Sequence, residues 1–453
     1  MNDRQFTTIS QQLEGALSES DLTRIGRDTD FTKRLRSVTP IRLVVTLIGA
    51  MASRRVETIA DLQRTFCAVT NRNVAYKPFH NQLSKQEFPV FMYGVFEHML
   101  GHLVVKTLAA VPGDALRQFD DIIAHDGSSF GVHDALRSTF PGRFTATKPA
   151  AVELHATLSI LQGQALRVII APDAKGEREF LPEPESLRRQ LLLADRGYMD
   201  LDYCARAAAA GASFIIRFSR SANPTIIGGT IDGRRLPKRM LGRTLHKCTK
   251  WLKGHSADLE AEWTRRDGPL ALRLVMSWND ETREHMRLGT NLAKKDFNLE
   301  AVRCLYRLRW QIELLFKEWK SYANLKAFCT RKAPIVEGLI WATLCAALLK
   351  RFLAHAAQAV SSGVEVSTRI AAMSLGHHLR GLIDALLHGR PLLRILRELF
   401  AFLTSACRRA HPLRDRERGR LASGLRPAFL TASLATRAVT SLYINLRTRI
   451  YAA

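Results

Sequence analysis

The sequence predicts an α/β core built on a mixed sheet, with helical regions at both ends. Between about residues 118 and 220, short β-type runs alternate with helical segments, which is the pattern of a sheet covered by helices. Before and after this stretch, apolar residues recur at helical spacing. The composition, 46% hydrophobic and 24% charged residues, is that of an ordinary globular protein, and 453 residues allow about two to four domains.

The N-terminal region, residues 1–117, is predicted to be helical. Within it, Thr58–Leu83 has the pattern of helix, turn and helix, with a polar turn at Thr70–Asn73 and with Lys77, His80 and Asn81 on the second helix. Two packed helices with basic residues are more often scaffold than a DNA-reading unit. DNA contact by this region is therefore one of two interpretations.

The predicted core, residues 118–325, begins with three strand-like runs: DDIIAH, VELHATLSIL and ALRVIIAPD. A polar helical segment, EREFLPEPESLRRQ, follows them. LLLAD is a short apolar run typical of a strand buried on both faces. A helix over 200–210 that ends at Gly211, and a last strand in SFIIRFS, complete a mixed sheet.

Two further segments complete the expected organisation. Residues from about 220 to 295 hold short β-type runs among turns and many cations, which indicates a β-rich insertion into the core. A strong helix is expected over 298–320. Residues 326–453 are expected to form a basic helical region that contacts DNA, mediates dimerisation, or does both.

The charge indicates a polyanionic partner. Lys and Arg exceed Asp and Glu by 25, which favours nucleic acid or an anionic membrane surface. From residue 321 onward there are 20 Lys or Arg against 6 Asp or Glu, including the run RRAHPLRDRERGR at 408–420. DNA backbone contact and a solvated surface are equally good interpretations of that run.

A membrane is the weaker interpretation of the charge. The longest apolar stretches, near Leu43–Ala52 and Gly338–Leu349, fall short of the roughly 20 residues that span a bilayer, and we expect buried core helices there. The N-terminus lacks the pattern of a secretory signal. Seven scattered cysteines without a CxxC pair favour a reducing cytoplasm.

Two aspartates follow apolar strands, where a ligand or metal ion would sit at a sheet edge. Asp126 follows DIIAH and precedes Gly127, and Asp195 follows LLLA. Either aspartate alone is more often a residue that caps the next turn. Asp120 and Asp121 compete with Asp126, which we prefer because the apolar run directly precedes it. His125 and His155 are expected to be structural, and Asp173 a turn residue.

A third carboxylate lies in LYRLRWQIELLFKEWK. On one continuous helix, Tyr306, Arg309, Glu313 and Lys320 would share a face. The face is either solvated with local ion pairs, or it carries a metal-binding glutamate beside groups that hold phosphate. We favour the second because two tryptophans, at 310 and 319, indicate a largely buried helix.

Three carboxylates from two strands and a helix suit Mg²⁺, which prefers oxygen ligands and shares phosphate oxygens with its substrate. Two such ions can stabilise the attacking and leaving oxygens of an in-line phosphoryl transfer. The cations would also offset repulsion among the carboxylates.

These residues resemble the DDE transposases of bacterial insertion sequences, in the group named after insertion sequence 4. The group's motif Tyr-x2-Arg-x3-Glu-x6-Lys is matched at every spacing by the four residues at 306, 309, 313 and 320. Its Asp-x-Gly-Tyr/Phe motif is matched by Asp195, Gly197 and Tyr198, and its first aspartate by Asp126. Thr290-Asn291-Leu292 is also similar. The resemblance covers about 118–325.

The resemblance implies an RNase H-like catalytic core with a β-rich insertion before the helix that carries the glutamate. It makes Asp126, Asp195 and Glu313 the catalytic residues and the ligands of Mg²⁺, with two ions expected and Mn²⁺ as a substitute. Tyr306 and Arg309 would contact DNA at the transposon end.

On the same resemblance, Lys320 would join them in binding DNA, and we expect Lys317 and Arg196 to bind DNA as well. Related members hold a flipped base with an aromatic residue in the insertion. Trp278 is present there, although a core position is expected for it, and Met286 lies closer to the expected place.

The implied activity is metal-dependent cleavage of DNA at the inverted-repeat ends of an insertion sequence, followed by strand transfer. The expected partners are double-stranded DNA of the ends and the target, and a second copy of the chain in the DNA complex. The expected location is the bacterial cytoplasm, at the nucleoid when bound to DNA. A non-catalytic DNA-binding derivative of a transposase and another RNase H-like nuclease remain as alternatives.

Overall fold

The structure, a computed structural model, describes residues 3–53, 57–110, 113–322, 330–361, 364–410 and 424–427. Its N-terminal part is helical, as predicted. The predicted helix–turn–helix is present: Thr58 and Asp61 form a capping box at the start of its first helix, and Asn71 ends that helix in the left-handed region. The helices are α1 (Asp3–Ala16), α2 (Glu19–Asp28), α3 (Pro40–Ser53), α4 (Ile59–Thr70), α5 (Tyr76–Leu83) and α6 (Glu87–His102).

One sheet of ten strands forms the centre of the described structure. Its strand order is β4-β3-β2-β5-β6-β11-β10-β9-β7-β8. A separate pair joins β1 (Leu108–Ala110) to β12 (Leu425–Pro427). The ten strands are β2 (Asp121–Gly131), β3 (Ala151–Ser159), β4 (Gln164–Pro172), β5 (Gln190–Ala194), β6 (Ser213–Arg217), β7 (Thr225–Ile231), β8 (Arg234–Arg235), β9 (Ala257–Trp263), β10 (Leu270–Asn279) and β11 (Glu284–Thr290).

The first five strands of the order confirm the predicted RNase H-like core. Strands β2, β3 and β4 form an antiparallel meander, and β5 and β6 join β2 in parallel. Helix α7 (Leu201–Ala209) connects the two parallel strands, with Asp200 as its N-cap and Gly211 in the left-handed region after it. The polar segment before β5 differs from expectation, because it forms only two short 3₁₀ turns, at 177–180 and 184–187. Prolines 182 and 184 disfavour an α-helix there.

The β-type runs of residues 220–295 extend the core sheet itself. Strand β11 pairs with β6, and β10, β9, β7 and β8 follow it to the far edge. The short helix α8 (Leu245–Leu252) lies between β8 and β9. At the junction, Asn291 accepts a hydrogen bond from the Phe214 N–H and donates one to the Ala212 carbonyl, which fastens the end of β11 to β6.

The helix expected over 298–320 is two helices, α9 (Leu299–Arg307) and α10 (Trp310–Tyr322). At the junction, the N–H groups of Leu308, Arg309 and Gln311 each bond to the carbonyl three residues before. The tighter turn interrupts the α-helix without a proline or glycine. Beyond it lie α11 (Ala333–Val360), α12 (Thr368–Ser374), α13 (Leu379–Leu387) and α14 (Leu393–Ala406).

Helix α11 contains the apolar stretch at Gly338–Leu349, and it is longer than the stretch alone suggests. Among the described residues it is the one helix long and apolar enough to cross a membrane, but 78% of its apolar window is buried in the protein. It packs against α3, α6 and α14. Its burial agrees with the prediction of a core helix. The six cysteines in the described part of the chain are free thiols.

Candidate active site

Asp126 lies in the middle of β2, and the expectation that it ends a strand was wrong. Strand β2 continues to Gly131 because Ser128, Ser129 and Phe130 pair with β3. The parallel partner β5 is what ends near Asp126, since its last residue, Ala194, lies opposite His125. Asp126 therefore projects where the parallel pairing of the sheet stops.

Asp195 directly follows β5 and lies beside Asp126. The alternation of side chains along β2 and β5 puts Asp126 and Asp195 on one face of the sheet, with Ala124 and Leu193. The sequence suggested that Asp126 and Asp195 each end a strand, without showing that the strands are neighbours. The parallel register of β2 and β5 brings the two aspartates together.

Helices α9 and α10 pack over this face and supply the third carboxylate. The Tyr306 hydroxyl, on α9, donates to Asp195 Oδ1 at 3.1 Å. Arg309, at the junction, donates from Nη1 to Asp126 Oδ2 at 2.8 Å and from Nη2 to Glu313 Oε1. Trp310 is exposed, contrary to expectation, and the helix is held instead by the buried Trp319.

The other basic residues of the prediction have different environments. Lys320, in the last turn of α10, donates to the Ser129 carbonyl at 2.7 Å, so it also fastens the helix to β2. Lys317 and Arg196 are exposed, on α10 and directly after Asp195. The basic run at 408–420 lies outside the described residues from position 411 onward.

Burial and charge pull the pKa of Asp126 in opposite directions. Burial raises it to about 6, with smaller increases from Asp195 and Glu313, although the Arg309 guanidinium lowers it. Burial works against the charge on Arg309, but Tyr306 and the three carboxylates together raise the pKa of Arg309. Burial and the neighbouring Asp195 raise the pKa of Tyr306, which therefore stays a neutral hydrogen-bond donor. The site is a carboxylate cluster in which one cation compensates two anions.

The donor chemistry of this cluster fits hard divalent cations such as Mg²⁺. All three acidic side chains present carboxylate oxygens, which Mg²⁺ prefers. In the arrangement seen, no three acidic, histidine or cysteine side chains of the described residues are grouped closely enough to hold an ion. Arg309 bridges Asp126 and Glu313 instead, so a cation would have to replace part of this pairing.

A polar cluster lies behind Asp126 on the opposite face of the sheet. A Cβ added to Gly127 would be 2.7 Å from Glu153 Oε1, 3.1 Å from His155 Nδ1 and 3.2 Å from the Tyr198 hydroxyl. A larger residue at 127 would therefore have to displace the Glu153 carboxylate. His155 stacks on Phe180 with ring centroids 3.9 Å apart.

The second histidine of the prediction lies on that same face. His125 Nδ1 is 3.0 Å from the Thr157 hydroxyl, and burial lowers the pKa of His125 to about 3. Both histidines are therefore neutral packing residues, which agrees with the structural role expected for them.

The competing aspartates lie away from this place. Asp120 pairs with Arg189 through two hydrogen bonds of 3.1 and 3.2 Å, and Asp121 accepts from the Ile122 N–H at the start of β2. At about 3.3 Å per residue, the start of the strand is roughly 17 Å from Asp126. Asp173 follows β4 and accepts from the Arg143 N–H, which fits a turn residue.

The two candidates for base stacking lie on opposite faces of the sheet. Trp278 pairs with His285 across β10 and β11, and its indole N–H donates to Asp280. It is half-buried, so a full core position was not correct. Met286 packs toward the face that carries Asp126 and Asp195. Of the two side chains, Met286 is therefore the one on the face of the carboxylates.

Two features of the site were not found from the sequence. Arg217, the last residue of β6, has Nη1 3.8 Å from Asp195 Oδ1. It is adjacent because Ile216 pairs in parallel with Ala194. Glu318, on α10, forms a buried ion pair with Arg351 of α11, which ties the helix of Glu313 to the C-terminal helices.

Comparison with known proteins bears on this geometry. Residues 117–349, about half of the chain, match the family described as transposase DDE domain. The transposase for insertion sequence element IS1151 of Clostridium perfringens is 20% identical over 399 residues, covering 79% of this chain and 83% of that protein. The transposase for IS231F of Bacillus thuringiensis subsp. israelensis is 20% identical over 445 residues, covering 88% and 92%.

One solved structure is also similar, the synaptic complex of piggyBac transposase with hairpin DNA. The two chains share 9% of their residues, with a TM-score of 0.41 over 87% of this chain and 80% of that one.

Proposed function

The chain belongs to the transposase DDE domain family, which acts in DNA transposition, and from this membership we propose that it cleaves DNA at the inverted-repeat ends of an insertion sequence and transfers the freed strand. The observation that carries the proposal is the convergence of Asp126, Asp195 and Glu313 on one face of the sheet. A turn-capping role explains either aspartate alone, but not both beside a third carboxylate that comes from a separate helix.

The same three carboxylates would hold the cofactor. When bound, two Mg²⁺ ions, or Mn²⁺ in their place, supply activation of water and neutralisation of charge in the in-line transfer of a phosphoryl group. Tyr306 orients Asp195 through its hydrogen bond of 3.1 Å.

Arg309 has a double role in this proposal. Without DNA, it compensates Asp126 and Glu313, which would otherwise repel each other. Because a guanidinium binds phosphate oxygens as well as it binds carboxylates, Arg309 can turn to the DNA backbone once cations hold the carboxylates. The exposed Lys317 and Arg196 would contact the backbone nearby, and Lys320 would do so from the end of α10.

The reaction has two steps of the same chemistry. In the first, the oxygen of water attacks the scissile phosphorus, the bond to the 3′-oxygen breaks, and that oxygen leaves as a 3′-hydroxyl. In the second, the oxygen of this hydroxyl attacks the phosphorus of another phosphodiester and a new P–O bond joins the strands. The bond from that phosphorus to its own 3′-oxygen breaks, and this oxygen leaves as a 3′-hydroxyl, which balances the proton that the attacking hydroxyl loses. Neither step needs a covalent bond between protein and DNA.

The partners proposed are double-stranded DNA of the element ends and of the target, and a second copy of the chain in the DNA complex. Two ends have to be brought together for transposition, which requires at least a dimer. The reaction would take place in the bacterial cytoplasm, at the nucleoid. Assignment to the group of insertion sequence 4 remains a prediction from the Tyr-Arg-Glu-Lys spacing.

The test is cleavage of a duplex that carries the DNA flanking the coding region, with Mg²⁺, with Mn²⁺ or with a chelator. We expect cleavage only with the cations. Glu313→Gln should reduce the rate by on the order of 10³-fold, because several kcal/mol of charge stabilisation are lost. Asp195→Ala should have an effect of similar size.

The matched control is Glu300→Gln on α9, where the same chemical change affects an exposed carboxylate paired with Arg303. It should cleave at the rate of the unchanged protein. Full cleavage by Glu313→Gln would overturn the proposal, and tight binding without cleavage under any cation would identify a non-catalytic derivative. Preference for branched DNA or RNA–DNA hybrids would identify a different nuclease.

A further inference from the structure

Eight cations are concentrated at the far edge of the sheet, in the segment that contains β8 and α8. All eight are exposed, and none forms an ion pair with a carboxylate of the described residues. Over residues 225–256 the segment has one acidic residue, Asp232, which pairs with His255. We call this set the α8 basic surface: Arg234, Arg235, Lys238, Arg239, Arg243, Lys247, Lys250 and Lys253.

The fold holds these charges outward. Helix α8 buries Leu245, Cys248 and Leu252 against the sheet, so the positions between them must face solvent. Met240 anchors the preceding turn in the same core. Because the apolar face of α8 packs in the core, the orientation of its charged face toward solvent is fixed.

Trp251 organises three of the cations. Lys250 Nζ lies 4.9 Å from the centre of its ring, and the guanidinium carbons of Arg239 and Arg243 lie at 5.0 and 5.8 Å. Cation–π contacts of this kind are worth about 0.5–1 kcal/mol each at exposed sites. They keep like charges together that would otherwise separate, and they leave the charges available to anions.

The α8 basic surface is too far from the carboxylates to contact the same phosphate. From β5, which leads to Asp195, five strand spacings lead across the sheet to β7. At about 4.8 Å for each spacing, the separation is roughly 24 Å. With about 3.4 Å of duplex per base pair, this corresponds to roughly seven base pairs.

We propose that the α8 basic surface binds the phosphate backbone of duplex DNA at a distance from the cleaved bond. The inference rests on the proposed function, because that function supplies the polyanion and the reacting bond from which the distance is counted. The contacts are independent of base sequence, since the surface offers exposed Lys and Arg side chains that bind phosphate oxygens. Their role is to hold the duplex while the carboxylates act on it.

The test is equilibrium binding of the full chain to a labelled duplex of arbitrary sequence, about 30 base pairs long, over a range of salt without divalent cations. The variant is Arg239→Gln/Arg243→Gln/Lys250→Gln. Each lost phosphate contact should lower the slope of log affinity against log salt by about 0.9, so the variant's slope should fall by about 3.

The control removes three charges from ion-paired positions outside the surface: Arg189→Gln/Arg265→Gln/Arg303→Gln. These side chains pair with Asp120, Asp202 and Glu300, and their loss should change the slope by less than about 1. A second variant, Arg234→Gln/Arg235→Gln/Lys247→Gln, touches no ring contact and should repeat the effect of the first.

A slope equal to that of the unchanged protein in both surface variants would overturn the proposal. It would also be overturned if the variants lost binding to single-stranded RNA or to phosphatidylglycerol vesicles while binding to the duplex stayed the same. Because no cation is present, binding is measured without cleavage. If the unchanged protein does not cleave DNA but the surface variants have a lowered salt slope, the proposed function is wrong and the α8 basic surface still binds DNA. If the unchanged protein cleaves DNA but the surface variants keep its slope, the proposed function stands and the proposal for the surface is wrong.

Discussion

Two regions of the ten-stranded sheet, the carboxylate site near β2 and β5 and the edge at β7 and β8, differ in how their charges are compensated. Around β2 and β5, the carboxylates of Asp126, Asp195 and Glu313 are partly buried, and each has a partner in Arg309 or Tyr306. At the edge formed by β7 and β8, eight cations are exposed and lack ion-pair partners among the described residues. Charge is compensated where chemistry is proposed and left uncompensated where binding is proposed.

The difference follows from burial. A buried charge without a partner costs several kcal/mol, so the site has to be compensated before it meets its ligand. An exposed charge costs little when alone, and it gains from meeting a polyanion because counterions are released from the DNA. The carboxylates of the site are therefore paired within the protein, whereas the cations of the edge have no carboxylate partner among the described residues.

The largest effect is expected from removing Arg309, the cation that compensates the carboxylates of the site. Arg309→Gln leaves Asp126 and Glu313 close together in a mostly buried place without their shared partner. We expect the free energy of unfolding to fall by about 3 kcal/mol in a chelator, the size typical of breaking a buried pair. Urea unfolding followed by circular dichroism measures it.

Mg²⁺ should restore part of the stability lost in Arg309→Gln, because cations can then compensate the carboxylates. The rise in melting temperature on adding Mg²⁺ should be larger for this variant than for the unchanged protein. Arg303→Gln, on the exposed face of α9, is the control and should lose less than about 0.5 kcal/mol. Equal losses in both variants would mean that Arg309 compensates nothing.

The sequence predicted the parts of the site that depend on local helical spacing better than the parts that depend on pairing between distant strands. The spacing of Tyr306, Arg309, Glu313 and Lys320 predicted one face of a single helix, because helical periodicity is local. The structure has two helices there, although all four side chains still take part in the hydrogen bonds around Asp126, Asp195 and β2. The break at Leu308–Arg309 was missed, since neither residue disfavours a helix. Tertiary contacts lie on both sides of the bend: Tyr306 of α9 bonds to Asp195, Arg309 at the junction bonds to Asp126, and Lys320 of α10 bonds to the Ser129 carbonyl.

Pairing between distant strands was the other limit. Arg217 lies beside Asp195 only because β6 and β5 pair in parallel with Ile216 opposite Ala194. The length of β2 was underestimated because Gly127 suggested a turn, yet Gly127 and the two serines after it pair with β3. Likewise, nothing local indicates that the strands of 220–295 continue the core sheet, since register depends on partners far away in the chain.

The buried carboxylate of Glu153, behind the site, gives a pH-dependent test of how well a buried charge is compensated. Burial raises the pKa of Glu153 to about 7, against the pull of Arg143. A carboxyl whose pKa is raised in the folded state stabilises the protein below about pH 4.5, and this stability is lost as the pH rises toward 7. Glu153→Gln should therefore gain about 1–2 kcal/mol over the unchanged protein at pH 8.

The measurement for Glu153→Gln is urea unfolding at pH 5 and pH 8. At pH 5 the two proteins should differ by less than about 0.5 kcal/mol, because Glu153 is then largely protonated. Glu177→Gln is the control, since Glu177 pairs with the same Arg143 but is more exposed. A loss of stability at pH 8 would show that the Arg143–Glu153 pair compensates the buried charge fully.

The smallest effect is expected at the far edge, where the cations of the α8 basic surface form no ion pair with a carboxylate of the described residues. Arg235 and Lys247 are exposed, and neither contacts the ring of Trp251 or a carboxylate of the described residues. Arg235→Gln/Lys247→Gln removes two of eight like charges and so reduces their repulsion. At low salt we therefore expect the free energy of unfolding to rise by only a few tenths of a kcal/mol. The gain should vanish above about 0.5 M salt, where the Debye length is shorter than the spacing of the charges. A loss of 1 kcal/mol or more at any salt concentration would mean that these cations have structural partners. The charges of the edge would then be compensated like those of the site, and the contrast between these two regions of the sheet would not hold.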